Sequence, residues 1–154
     1  MKYPYFDKKS VEKVKKVLLS GKVNYWTGKE NILFEKQFSK YIGNKYSVAV
    51  SNGSVALEIA LRSLNLKSND EVLVTPRSFI ISASCAVNVG LKPVFADVDS
   101  NGNMSIDTIL KAFNKNIKVI ILVHLNGLPC ELDPILKFAK KNKIYLIEDC
   151  SQAH

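Results

Sequence analysis

Five short apolar runs rich in Val and Ile dominate the middle and end of this chain: "YSVAV" (46–50), "EVLVT" (71–75), "PVFADV" (93–98), "VIILVHL" (119–125) and "IYLIED" (144–149). Between them lie stretches with helical periodicity at 54–64, 79–89, 106–113 and 134–142. Runs that are apolar throughout, instead of alternating, suit strands covered on both faces. Strand and helix in alternation predict a doubly wound α/β sandwich of three layers around a mostly parallel sheet, joined by right-handed crossovers. In the last helix Asp133 is the expected N-cap, with Pro134 at the first helical position.

The first forty residues read differently. Val11, Val14, Val17 and Leu18 fall on one helical stripe, with Asp7 as an N-cap and Gly21 as a stop. After the loop "GKVNYWTGKE", Phe34, Phe38, Tyr41 and Ile42 mark a second amphipathic helix closed by Gly43. We therefore divide the chain into 1–42, two helices and a loop, and 43–154, an α/β domain.

Composition narrows the functional classes. Lys plus Arg is 22 against 14 Asp plus Glu, a net charge of +8. The lysines scatter over helix faces and no zinc-finger, basic-zipper or RNA-binding aromatic motif accompanies them, which argues against nucleic acid. The three cysteines Cys85, Cys130 and Cys150 form no CxxC pair and no metal spacing, so they read as reduced thiols. "MKYPYFDKKS" lacks the apolar core of a signal peptide, and no apolar run reaches membrane-spanning length. These features predict a cytoplasmic protein with no membrane segment.

In parallel α/β sheets, ligands bind beyond the carboxyl ends of the strands. Polar clusters follow four of the five runs: "SNGS" (51–54), "TPRSF" (75–79), "HLNG" (124–127) and "EDCSQAH" (148–154). "SNGS" brings small side chains and free N–H groups to a helix start, a setting for a phosphate at Gly53 and Ser54. It matches neither a Walker loop nor GxGxxG. Phe79 can stack on a flat heterocycle or sit in the core, and Arg77 can meet an anion or solvent. Asp149, nearest the strand end, can pair with a protonated ring nitrogen, with Glu148 turned to the opposite face. Gln152 and His154 can hydrogen-bond substituents of the same ring. His124 reads as a supporting residue and Cys150 as packing. An acidic Mg²⁺ site lacks a third carboxylate, so no metal site is expected. A Mg²⁺-dependent nucleotide hydrolase or phosphotransferase stays as a distant alternative.

The ordered set "YWTG…FE", "SNGSVAL", "NDEVLVTPRSF", "KPVFADVD", "VHLNG" and "EDCSQAH" resembles the DegT/StrS family of nucleotide-sugar aminotransferases, from about residue 7 to the end. The resemblance implies a partial large domain of the type I aminotransferase fold and the cofactor pyridoxal 5′-phosphate (PLP). It implies Gly53 and Ser54 at the phosphate, Phe79 on the ring, Asp149 at the pyridinium nitrogen and Gln152 near the ring hydroxyl. Tyr25, Trp26 and Thr27 would border the sugar. The family moves an amino group, usually from glutamate, to a keto group of a nucleotide-linked sugar for lipopolysaccharide, O-antigen, capsule or antibiotic glycosides, typically as a homodimer. Its Schiff-base lysine lies beyond residue 154, so no catalytic residue is expected here, and these 154 residues alone are expected to be inactive. A sister group with His at that position dehydrates sugars, and a non-catalytic phosphate-binding remnant is the third possibility.

Overall fold

The computed structural model describes residues 4–153. The chain forms two compact units, Met1–Ala49 and Val50–His154.

The first unit contains helices α1 (Lys8–Leu19) and α2 (Glu30–Ile42). Asp7 caps α1 as expected, its Oδ1 accepting from Ser10 N–H at 2.6 Å. Gly21 and Gly43 end the two helices at φ +67° and +80°, in the left-handed region that glycine enters without strain. On α2 the Phe34 and Phe38 rings stack at 5.6 Å.

The second unit is a four-stranded, wholly parallel sheet with helices on both faces. Its elements run α3 (Gly53–Arg62), β1 (Glu71–Val74), α4 (Ile81–Asn88), β2 (Lys92–Phe95), α5 (Ile106–Ala112), β3 (Ile117–Val123), α6 (Leu132–Asn142) and β4 (Tyr145–Asp149). The strand order is β2-β1-β3-β4. Strand side chains alternate between two cores. Val72, Val74, Val119, Ile121 and Val123 pack with Leu57 and Leu61 of α3 and Cys85 and Ala86 of α4. Leu73, Ile120 and Leu122 pack with Ile109 of α5 and Ile135 and Ala139 of α6. A register shift between Glu71 and Val72 inserts one residue into β3 opposite β1. It turns Ile117 to the same face as Ile120 and Leu122, because an extra residue in a period-2 element reverses the sides before it.

Two expectations fail. "YSVAV" is not a strand. Val48 is 76% exposed, and the N–H of Ala49 is taken by Glu35 Oε1 of α2 at 2.8 Å, so no ladder partner holds this segment. The expected fifth strand is therefore absent from the sheet. Asp133 is not an N-cap either. The α6 helix starts earlier, at Leu132, whose side chain packs on the core, and Glu131 takes the cap position. Asp133 then falls in the first turn, and Pro134 is tolerated there because first-turn N–H groups need no intrahelical partner.

Candidate active site

The order β2-β1-β3-β4 reverses direction between β1 and β3, and a crevice opens at such a reversal beyond the strand ends. A cleft of about 230 Å³ lies there, lined among others by Gly53, Ser54, Phe79, His124, Asp149 and Gln152. Five of these six residues are the expected cofactor contacts. The sixth is the expected supporting histidine.

At the α3 end of the cleft, Asn52 is the cap. Its Oδ1 accepts from Val55 N–H at 3.0 Å, and its carbonyl accepts from Ala56 N–H. The hydrogen bonds of the turn thus begin at Val55, and the N–H groups of Gly53 and Ser54 remain at the helix start for an anion. Ser54, in the first turn beyond this cap, lines the cleft.

Phe79 precedes α4 and is 72% exposed, so it is not a core residue. Its ring belongs to the cleft wall. Arg77 lies elsewhere: its guanidinium rests against Gly102, where an added Cβ would strike it. Gly102 has φ +82° and leaves room for that contact.

At the β4 end, Asp149 Oδ1 accepts from Ser151 N–H at 3.1 Å and from Ser151 Oγ–H at 2.5 Å. The carboxylate is thereby fixed through Oδ1; among the described residues, no side-chain hydrogen bond is made to Oδ2. Glu148 turns to the opposite face, as alternation along a strand requires. There its Oε2 lies 3.1 Å from His124 Nε2. His124 is buried, and its Nδ1 accepts from Cys130 N–H at 3.1 Å. A backbone N–H can only donate, so the imidazole proton sits on Nε2 and points at Glu148. Gln152 Oε1 accepts from Asn126 N–H at 2.6 Å, which directs the amide NH₂ away from that bond.

Cys85 and Cys130 are buried thiols, and desolvation pushes both up to about 11. Burial and the carboxylates Glu148 and Asp149 also raise Cys150. None has the depressed thiol of a nucleophile.

Tyr25, Trp26 and Thr27 belong to the first unit. Trp26 and Thr27 donate their N–H groups to Asn24 Oδ1, each at 3.0 Å, and Trp26 is 91% exposed. The Tyr25 and Trp26 rings meet edge to face at 6.0 Å. His154 lies outside the described residues. Among the described residues, no helix is long and apolar enough to cross a membrane.

Sequence reading missed Ser151 and Asn126. Both carried a signal: Asp149 followed two residues later by Ser is a local side chain–backbone pattern, and Asn-Gly marks left-handed turns.

The sequence profile of the DegT/DnrJ/EryC1/StrS aminotransferase family matches residues 4–154. The chain belongs to this family. Aminotransferases of the DegT/DnrJ/EryC1/StrS family are PLP-dependent. An aminotransferase from Psychrobacter cryohalolentis shares 45% identity and superposes with a TM-score of 0.96, over 100% of this chain and 39% of that one. GDP-perosamine synthase of Escherichia coli O157:H7 is 36% identical over 121 residues, 78% of this chain and 33% of the synthase. The dehydratase GDP-4-keto-6-deoxymannose-3-dehydratase (ColD), solved as its H188N mutant with bound GDP-perosamine, is 29% identical with a TM-score of 0.87, over 96% of this chain and 40% of that one. The chain spans well under half the length of the DegT-family relatives it matches.

Proposed function

We propose that this protein uses PLP to move an amino group from an amino acid, glutamate by preference, to a keto group of a nucleotide-linked sugar. The observation that carries the reading is the convergence on one cleft of an anion-binding helix start, an exposed aromatic ring, a carboxylate with a spare oxygen and an oriented carboxamide. Those four groups fit PLP: a phosphate, a flat ring, a ring nitrogen and a ring hydroxyl. When bound, PLP supplies an electron sink through its protonated ring.

The residues of this chain act as follows. The N–H groups of Gly53 and Ser54, with the Ser54 hydroxyl, hold the phosphate. Phe79 covers one face of the ring and keeps water off it. Asp149 would accept from the ring N–H and its negative charge would keep the proton there. The Gln152 NH₂ donates to the ring oxygen. At about 230 Å³ the cleft suits a small cofactor and falls below the roughly 300–1,000 Å³ usual for larger ligands, so the nucleotide sugar needs further surfaces. The family resemblance supports Tyr25, Trp26 and Thr27 as residues that border the sugar. The cofactor-attaching lysine, the homodimer that would share the site, a cytoplasmic setting, and a place in lipopolysaccharide, O-antigen or capsule synthesis belong to the same reading.

The similarity to ColD favours one second reading, dehydration of a keto sugar on the same fold. The residue at the attaching position separates the two: lysine for amination, histidine for dehydration.

The test is direct. The intact protein is titrated with PLP, reduced with borohydride, and mapped by mass spectrometry. A cofactor-modified lysine, together with weakened binding in Asp149→Ala, supports the aminotransferase. Undiminished PLP binding in Asp149→Ala would falsify the assigned site.

A further inference from the structure

The turn after β3 is joined to the end of β4 and the loop beyond it at four places. His124 N–H donates to the Asp149 carbonyl at 3.2 Å. His124 Nε2–H donates to Glu148 Oε2 at 3.1 Å, and Asn126 N–H donates to Gln152 Oε1 at 2.6 Å. The fourth join is steric: a Cβ on Gly127 would lie 2.9 Å from the Gln152 carbonyl oxygen. Asn126 and Gly127 reach this geometry only because both are left-handed, at φ +56° and +79°. Asn and Gly are the residues that enter that region at least cost.

We infer that the His124–Gly127 turn, with Glu148, is a positioning element that fixes where Asp149 sits and which polar atoms of Gln152 face the cleft. The inference rests on the reading of the cleft as a PLP site, and it adds a role for residues behind the cofactor contacts. Each join has one consequence. With Oε1 engaged by Asn126, the Gln152 NH₂ is the end of the amide left uncommitted, so the side chain favours an acceptor oxygen on the ligand. The His124–Asp149 bond and the His124–Glu148 bond tie β4's last two residues to β3. Asp149 therefore keeps its backbone position while its side chain is turned by Ser151. A jig of this kind matters because reading groups misplaced by even one ångström lose much of their effect.

Glu148 acts here as an acceptor for a buried N–H, so Gln at 148 can replace it and Ala cannot. Gly127→Ala both strains the turn and pushes Gln152 away.

The experiment has an arm without ligand and an arm with it, both on the intact protein. Without ligand, hydrogen exchange of the Asn126 amide is slow in the parent and in Glu148→Gln. It rises about tenfold or more in Gly127→Ala and in Gln152→Ala, where its acceptor is displaced or lost. Equal exchange in all four overturns the inference whether or not the protein binds PLP. With PLP, the Kd weakens by about tenfold or more in Gly127→Ala and Glu148→Ala, as for outer supporting residues elsewhere. Glu148→Gln stays within about twofold, and so does inorganic phosphate binding in every variant. The ¹⁵N shift of ring-labelled PLP then reports a less protonated ring in Glu148→Ala and a parent-like ring in Glu148→Gln. Glu148→Ala binding PLP like the parent, with an unchanged shift, overturns the inference. A parent that binds no PLP overturns the functional reading instead, and the exchange arm still decides the role of the turn. Melting curves on each variant separate misfolding from mispositioning.

Discussion

Cys130 N–H donates to His124 Nδ1, and this single bond settles what the facing nitrogen of the ring can do. A ring nitrogen of His124, a Glu148 carboxylate oxygen and the Cys150 sulfur lie within 4.8 Å of one another, a spacing that could hold a metal. A metal needs the Nε2 lone pair, but with Nδ1 committed as an acceptor the proton stays on Nε2. Cobalt(II) added to the metal-free protein should therefore produce no thiolate-to-cobalt charge-transfer band. A band that disappears in Cys150→Ser would show that the ring can change tautomer.

Phe79 is exposed, so its removal costs the fold little. Phe79→Ala should leave stability within about 0.5 kcal/mol, as for other surface substitutions. It should weaken PLP by about 0.5–1.5 kcal/mol, the worth of a ring–ring contact, or roughly two- to tenfold in Kd. Calorimetric binding paired with urea denaturation checks both halves.

Ile120 sits at the centre of β3 with no solvent exposure, packed toward α5 and α6. Ile120→Ala should destabilise the protein by about 2–5 kcal/mol, the range for large-to-small changes in packed cores. Equilibrium denaturation measures it. A loss below about 1 kcal/mol would mean that the core beneath β3 collapses to fill the gap.

Burial raises the Cys85 thiol from an ordinary value of 9.0 to about 11. Between these values the unfolded chain has released the proton and the folded chain retains it. The folded state then binds more protons, so stability falls as pH rises through this window. Below about pH 9 both forms are protonated and the effect vanishes. Urea midpoints at pH 8 and pH 10.5 should fall less in Cys85→Ala than in the parent. Identical falls would show that Cys85 does not contribute.

Much of this molecule is legible in its residues, and the reasons differ by region. Runs such as "VIILV" suit a strand buried on both faces, and β3 is one. "YSVAV" carries the same signal and forms no strand, since pairing depends on a partner that a local pattern cannot reveal. At α6, the cap preference of Asp133 yields to the packing of Leu132. Residue types at strand ends singled out Gly53, Ser54, Phe79, Asp149 and Gln152, which the fold brings to one cleft. The direction of each hydrogen bond was not readable. That Gln152 Oε1 is held depends on Asn126, twenty-six residues earlier, whose turn gains its meaning only once β3 and β4 are side by side.

The strand order has a consequence in time. The wall of the cleft draws on residues from Gly53 to Gln152, and β1 pairs with β3 across the whole of α4, β2 and α5. Contacts so distant along the chain close late, because loop entropy is spent before they return anything. The cleft cannot exist until the central strands have met. A ligand that binds there recognises finished molecules alone, so it draws the population toward the folded state and withdraws partly built chains from proteolysis.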